Sequence, residues 1–213
     1  MAVEMKGRVG PVTLTDGSIR EVSLDRSSAQ RTSFAHGRWY EAASRGTVFM
    51  SSTAAAGVAP GTALGTTMAY VLHNPAGSDV DLSVLAVSMG YVSGTLGAGV
   101  IVAASYIESA TNAAAVVAGA TVATCTRLGT NLPKGQAFSA GTLSAAPLIM
   151  FPLFDLTAKT AASALQNSPF VKPVNGAIIV TPGTALAIGG ISAAGTDPLV
   201  IIGVMWEEIT RAA

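Results

Sequence analysis

Leu82-Ser83-Val84-Leu85-Ala86-Val87-Ser88-Met89-Gly90-Tyr91-Val92-Ser93-Gly94-Thr95-Leu96-Gly97-Ala98-Gly99-Val100-Ile101-Val102-Ala103-Ala104-Ser105-Tyr106-Ile107 runs for 26 residues without a charged side chain. As a helix it is long enough to cross a bilayer. Its centre argues against that reading, because Gly90, Gly94, Gly97 and Gly99 crowd together there and glycine at that density breaks a helix. On either side lie pieces of strand length, rich in β-branched residues. The stretch therefore predicts a hairpin, with residues 99–107 returning as the partner of the strand before the glycines. In that first strand Val80, Leu82, Val84 and Ala86 alternate onto one face. Leu85, Val87, Met89 and Tyr91 fall on the other, which predicts a central strand covered on both sides.

The same signals recur outward from this segment. Residues 47–51 and 66–73 read as strands, the latter ended by the turn Asn74-Pro75-Ala76-Gly77-Ser78. A strand is expected over 120–128 and extended segments over 134–150. Phe151-Pro152-Leu153-Phe154 is expected as a packed corner, residues 111–119 as a loop or short helix, and 157–165 as a short helix. Near the carboxyl end, residues 176–180 form a strand. Thr181-Pro182-Gly183-Thr184 has the residues of a type II turn. Strands at 185–188 and 199–206 follow. About eight to ten strands at this spacing, with 23 Gly and 10 Pro among small side chains, predict an all-β fold, a jelly-roll-like antiparallel β-sandwich.

Charge divides the chain in two. Residues 1–46 hold seven of the 12 Lys/Arg and five of the 12 Asp/Glu, and residues 47–206 hold only nine charged side chains. The whole is 11% charged, against roughly 25% for an ordinary soluble domain. We read residues 1–46 as an extended amino-terminal arm and 47–213 as the sandwich. The arm carries a turn signal at Asp16-Gly17 and three aromatics, Phe34, Trp39 and Tyr40, among His36, Arg38 and Glu41. A body this poor in charge has little to oppose self-association, which suits a protein covered by partners. Zero net charge gives no basic surface for nucleic acid, and the glycine-broken apolar run argues against the membrane. The opening residues contain no apolar signal core. Cys125, the sole cysteine, sits in a strand-like context and reads as a buried, inert thiol.

Chemistry is sparse. His36 and His73 are the only histidines and share no metal spacing, and Cys-x-x-Cys and Gly-x-Ser-x-Gly are both absent. Residues 94–99 lack the Gly-Lys-Ser/Thr ending of a phosphate loop, so a turn is expected there. Asp79 and Asp81 share a strand face but supply too few oxygens for calcium. Glu207 and Glu208 read either as solvated charge or as contacts for the arm's arginines. No catalytic residue, metal or cofactor is assigned.

Three stretches carry a resemblance: residues 34–46 (Phe34-Ala35-His36-Gly37-Arg38-Trp39-Tyr40 onward), residues 70–77 with 90–99, and residues 180–184 running on to Gly203-Val204-Met205-Trp206-Glu207-Glu208. Together they resemble virion structural proteins of tailed bacteriophages. The resemblance implies a jelly-roll cement or decoration protein on the outer capsid surface, acting by binding alone, with the major capsid protein and further copies of itself, as a trimer, for partners. Arg31, Phe34, Trp39, Tyr40 and Arg45 are the candidate inter-subunit contacts, since aromatics and arginine carry much of the energy at interfaces. The alternative is a tail or head-fibre jelly roll that binds a host-surface glycan, against which the scarcity of aromatics in candidate loops weighs.

Overall fold

The computed structural model describes residues 6–8, 19–21, 37–107, 120–121, 123–128, 131–158 and 170–211. The expectations for Arg31, Phe34, His36 and residues 111–119, and most of that for 157–165, lie outside the described residues. Within the first 46 residues, β1 (Lys6–Arg8) pairs antiparallel with β2 (Ile19–Glu21), and Tyr40–Arg45 forms α1. The extended arm read from the sequence did not include a helix.

The remaining strands build an all-β sandwich. They are β3 (Val48–Ser52), β4 (Thr67–Asn74), β5 (Val80–Ser93), β6 (Gly99–Ile107), β7 (Ala120–Thr121), β8 (Thr124–Cys125), β9 (Gln136–Thr142), β10 (Leu148–Leu156), β11 (Phe170–Val180), β12 (Thr184–Ser192) and β13 (Leu199–Thr210). One sheet has the order β10-β6-β12-β4-β9-β7 and the other β11-β5-β13-β3-β8, all antiparallel. The pairing is nested: β3 with β13, β4 with β12, β5 with β11, β6 with β10. A long hairpin rolled upon itself has this topology, and it is that of the jelly roll. The short strands β7, β8 and β9 come from the connection between β6 and β10 and extend the β4 and β3 edges.

Four local expectations are corrected. First, residues 80–107 are not a hairpin: β5 pairs with β11 and β13, while β6 lies in the other sheet with β10 and β12. The glycine turn is a corner between layers, and alternation carries no information on which strand a neighbour will pair with. Second, Leu85 is an extra residue against β13, since Met205 faces Ala86 and Trp206 faces Val84. This bulge shifts the parity, so Val80, Leu82, Val84, Val87 and Met89 all enter one core and the opposite face of β5 is only partly covered. Third, residues 120–128 split into β7 and β8, in different sheets. Fourth, residues 151–154 are no corner but lie within β10, where Met150 and Leu153 are bulged against β6.

The core lies between the sheets. Trp206 is fully buried, its ring stacked on Phe49 with centroids 6.0 Å apart. Val200, Ile202 and Val204 join it from β13, and Tyr70, Leu72, Leu186, Ile188 and Ile101 oppose it from the six-stranded sheet. Burial away from solvent pushes the Tyr70 phenol well up, the Ser51 hydroxyl pulling the other way. Along the side where β10 and β11 face one another, Phe154 packs on Phe170 at 6.3 Å, and Lys172 Nζ donates to Leu153 O at 3.3 Å.

A second cluster decides what surface remains. Leu186 and Ile188 point into the main core, so Ala185 and Ala187 point out, yet these too are buried with Val71, Ala104, Tyr106 and Phe138. Leu143, just past β9, belongs to this cluster, and the Tyr106 and Ser144 hydroxyls are hydrogen-bonded. The middle of the six-stranded sheet is thus buried on both faces, while Leu148, Ile149 and Met150 of β10 are exposed at its edge. Among the described residues the outer face of the five-stranded sheet is only partly covered.

Candidate interaction surface

Strand register sets out the open face in rows. Thr124, Met50, Met205, Ala86 and Pro173 are neighbours across five strands, followed by Ser52, Gly203, Ser88 and Val171, then Ile201 and Gly90. None carries a charge. Small residues on the central strands make a floor, and Met50 (46% exposed) and Val171 (63% exposed) stand beside it. Between them lies a groove of about 510 Å³. A side chain at Gly203 would put its Cβ 2.7 Å from Ser88 Oγ, so glycine keeps this floor low.

In the opposite direction the next row is Val48, Glu207, Ser83 and Ile179. Here α1 packs against β3. The helix ends on Gly46, whose φ of 73° is left-handed and whose N–H is shared by the Ala42 and Ala43 carbonyls. Thr47 Oγ1 then donates to Ala42 O at 3.0 Å. Six residues with none buried cannot hold a helix unaided, and its flanks supply polar ties. Arg38 Nη1 donates to Asn175 Oδ1 of β11 at 2.9 Å and stacks over the Trp39 ring, 4.8 Å from its centroid. Arg45 places its charge near Glu207, whose half-buried carboxyl is held above the usual range by loss of water while Arg45 pulls it down.

Three of the five candidate contacts are therefore placed together. Trp39 is partly exposed, and Tyr40 and Arg45 are exposed, all on the short helical segment bordering the uncharged rows. Arg31 and Phe34 lie outside the described residues. Reading the sequence alone missed the floor itself. The signal was present in Ile201, Gly203 and Met205 alternating with the core residues of β13, but the bulge at Leu85 hid the matching set, Ala86, Ser88 and Gly90.

The remaining polar candidates are accounted for structurally. Asp79 is paired with Lys134, whose hydrogen bond draws its carboxyl below the ordinary range. Asp81 lies 3.6 Å from Arg211. The Glu208 carboxylate accepts from the Lys134 and Gly135 amides at 2.9 Å and from Trp206 Nε1 at 3.4 Å. His73 and Cys125 are buried. Among the described residues no group of three or more His, Cys, Asp or Glu is placed to hold a metal ion, and no helix is long and apolar enough to cross a membrane. No protein-family model matches the chain, and no curated protein or solved structure matches it either.

Proposed function

We propose that this chain is a structural protein that acts by binding alone, laying the uncharged outer face of its five-stranded sheet and the adjoining α1 segment against a large protein assembly. The observation that carries this reading is the set of uncharged rows across that face, on the same sheet that α1 packs against. An uncharged floor of Ala, Ser and Gly interspersed with methionine suits close packing against another rigid surface. Such a face left in water by a body with so little charge invites association. The resemblance to tailed-bacteriophage virion proteins makes the assembly a capsid shell, stabilised by bridging its subunits, and makes closed cyclic contact between copies, as a trimer, the expected arrangement. The corresponding location is the outer surface of the virion.

The test is addition of purified protein to shells assembled from major capsid protein alone, with occupancy read by cryo-electron microscopy. Native protein should decorate the shell at defined symmetric positions. Met205→Lys and Ser88→Lys, which place charge on the floor without entering the core, should fold and fail to bind. Full occupancy by both variants would overturn the assignment of this face. Reproducible sugar binding on a glycan array, with no shell binding, would replace the cement reading by the receptor module.

A further inference from the structure

Asn175-Gly176 is the one Asn-Gly pair in the sequence. Both residues hold left-handed backbone, with φ of 55° and 82°, as in a type I′ turn. The turn interrupts β11. Pro173 faces Ala86 and Ile178 faces Val84, so Val174, Asn175, Gly176 and Ala177 stand opposite Leu85 alone, outside the β5 ladder. Val174 is buried and anchors the loop, while Asn175 is exposed. Its Oδ1 takes the hydrogen bond from Arg38 that ties the α1 segment to β11.

We infer that Asn175 is a site of spontaneous modification that tightens this tie. The Gly176 amide nitrogen attacks Asn175 Cγ and loses its proton. The Cγ–Nδ2 bond breaks, and the side-chain nitrogen leaves as ammonia. The product is a five-membered succinimide, and water opens it at either carbonyl to give aspartate or isoaspartate. Water is the only co-reactant and no electrons are transferred. The attack depends on the residue next after the asparagine, and glycine has no side chain to obstruct it. The other described asparagines lack this opportunity. Asn74 is fully buried and precedes Pro75, whose nitrogen carries no hydrogen; Asn131 precedes the bulkier Leu132. The aspartate product faces the Arg38 guanidinium, so a hydrogen bond with one charged partner becomes an ion pair with two, shorter and stronger. The change falls on the segment that carries Trp39 and Tyr40.

The folded protein, aged in mildly alkaline buffer at body temperature, is sampled by peptide mapping with mass spectrometry that separates aspartate from isoaspartate. Asn175 should convert several-fold faster than Asn131, with Asn74 unchanged, and Gly176→Ala should slow it. Conversion of Asn175 no faster than that of Asn131 overturns the site, and this comparison within one molecule holds even if Gly176→Ala fails to fold. In the Asn175→Asp variant, amide exchange over residues 40–46 should be about two- to fivefold slower than in the native protein. Adding Arg38→Ala should remove that slowing. Unchanged exchange in Asn175→Asp overturns the tightening.

Discussion

Asn74 is a buried polar link between the two layers. Fully buried on β4, it donates through Nδ2 to Val80 O at 2.8 Å and to Val180 O at 2.9 Å, joining its own sheet to β5 and β11. In Asn74→Ala two buried carbonyls lose their donor, and we expect a loss of about 2–4 kcal/mol. A lower urea midpoint with an unchanged slope would record it. Glu207 offers a test with the opposite sign. Its folded pKa lies above the unfolded value, so its contribution favours folding while it is protonated and is lost as pH rises through the raised value. Glu207→Gln should therefore raise stability at neutral pH and flatten the acid side of the pH–stability curve. Asp79 runs the other way: lowered by Lys134, its contribution is present above the unfolded value and fades as pH falls through the folded one.

At the scale of elements, close backbone contact holds the loops together at the end of the sandwich opposite Asn74. Thr95 N donates to Thr196 O at 2.8 Å and Ala193 N to Ala98 O at 2.9 Å, locking the β5–β6 corner to the β12–β13 connection. A Cβ on Gly94 would lie 2.0 Å from Asp197 O, at a φ of 86°. Gly77, in the β4–β5 turn, has a similar φ of 87° but nothing within 4 Å. Comparing the two substitutions separates backbone strain from collision. Gly77→Ala should cost about 1 kcal/mol. Gly94→Ala should cost roughly 3 kcal/mol or more, since backbone atoms must move. Equal shifts in thermal midpoint would show that the corner yields freely.

Over the whole molecule, the nested pairing puts the last strand at the centre of its sheet. β13 lies between β3 and β5 and brings Trp206 to the core, so no native sandwich can form before the carboxyl-terminal strand is made. Removing residues 199–213 should leave a chain without cooperative unfolding by circular dichroism. The pairing of β3 with β13 also spans most of the chain, which favours slow folding. Self-association belongs to this scale as well. Light scattering on the native protein should show mass rising with concentration, and Ser88→Lys should hold it at the monomer if the open sheet face is the contact.

Much of this was legible in local sequence. Glycine density at 90–99 excluded a long helix, and period-two alternation marked the strands. Pro182-Gly183 specified its turn, and Gly183 has the expected positive φ of 77°. The low charge of residues 47–206 and the aromatic cluster that runs into α1 at Tyr40 were read without coordinates. These features depend on a residue and its near neighbours, so composition and spacing record them. Partner choice was not legible, because alternation says which way a side chain points but not which strand lies alongside. Nor was the parity change at Leu85, a bulge defined only by the pairing of β5 with its neighbours β13 and β11. The uncharged floor joins Met50, Ala86, Val171 and Met205 from four separate strands, and only the rolled sheet, by fixing their register, makes them one surface.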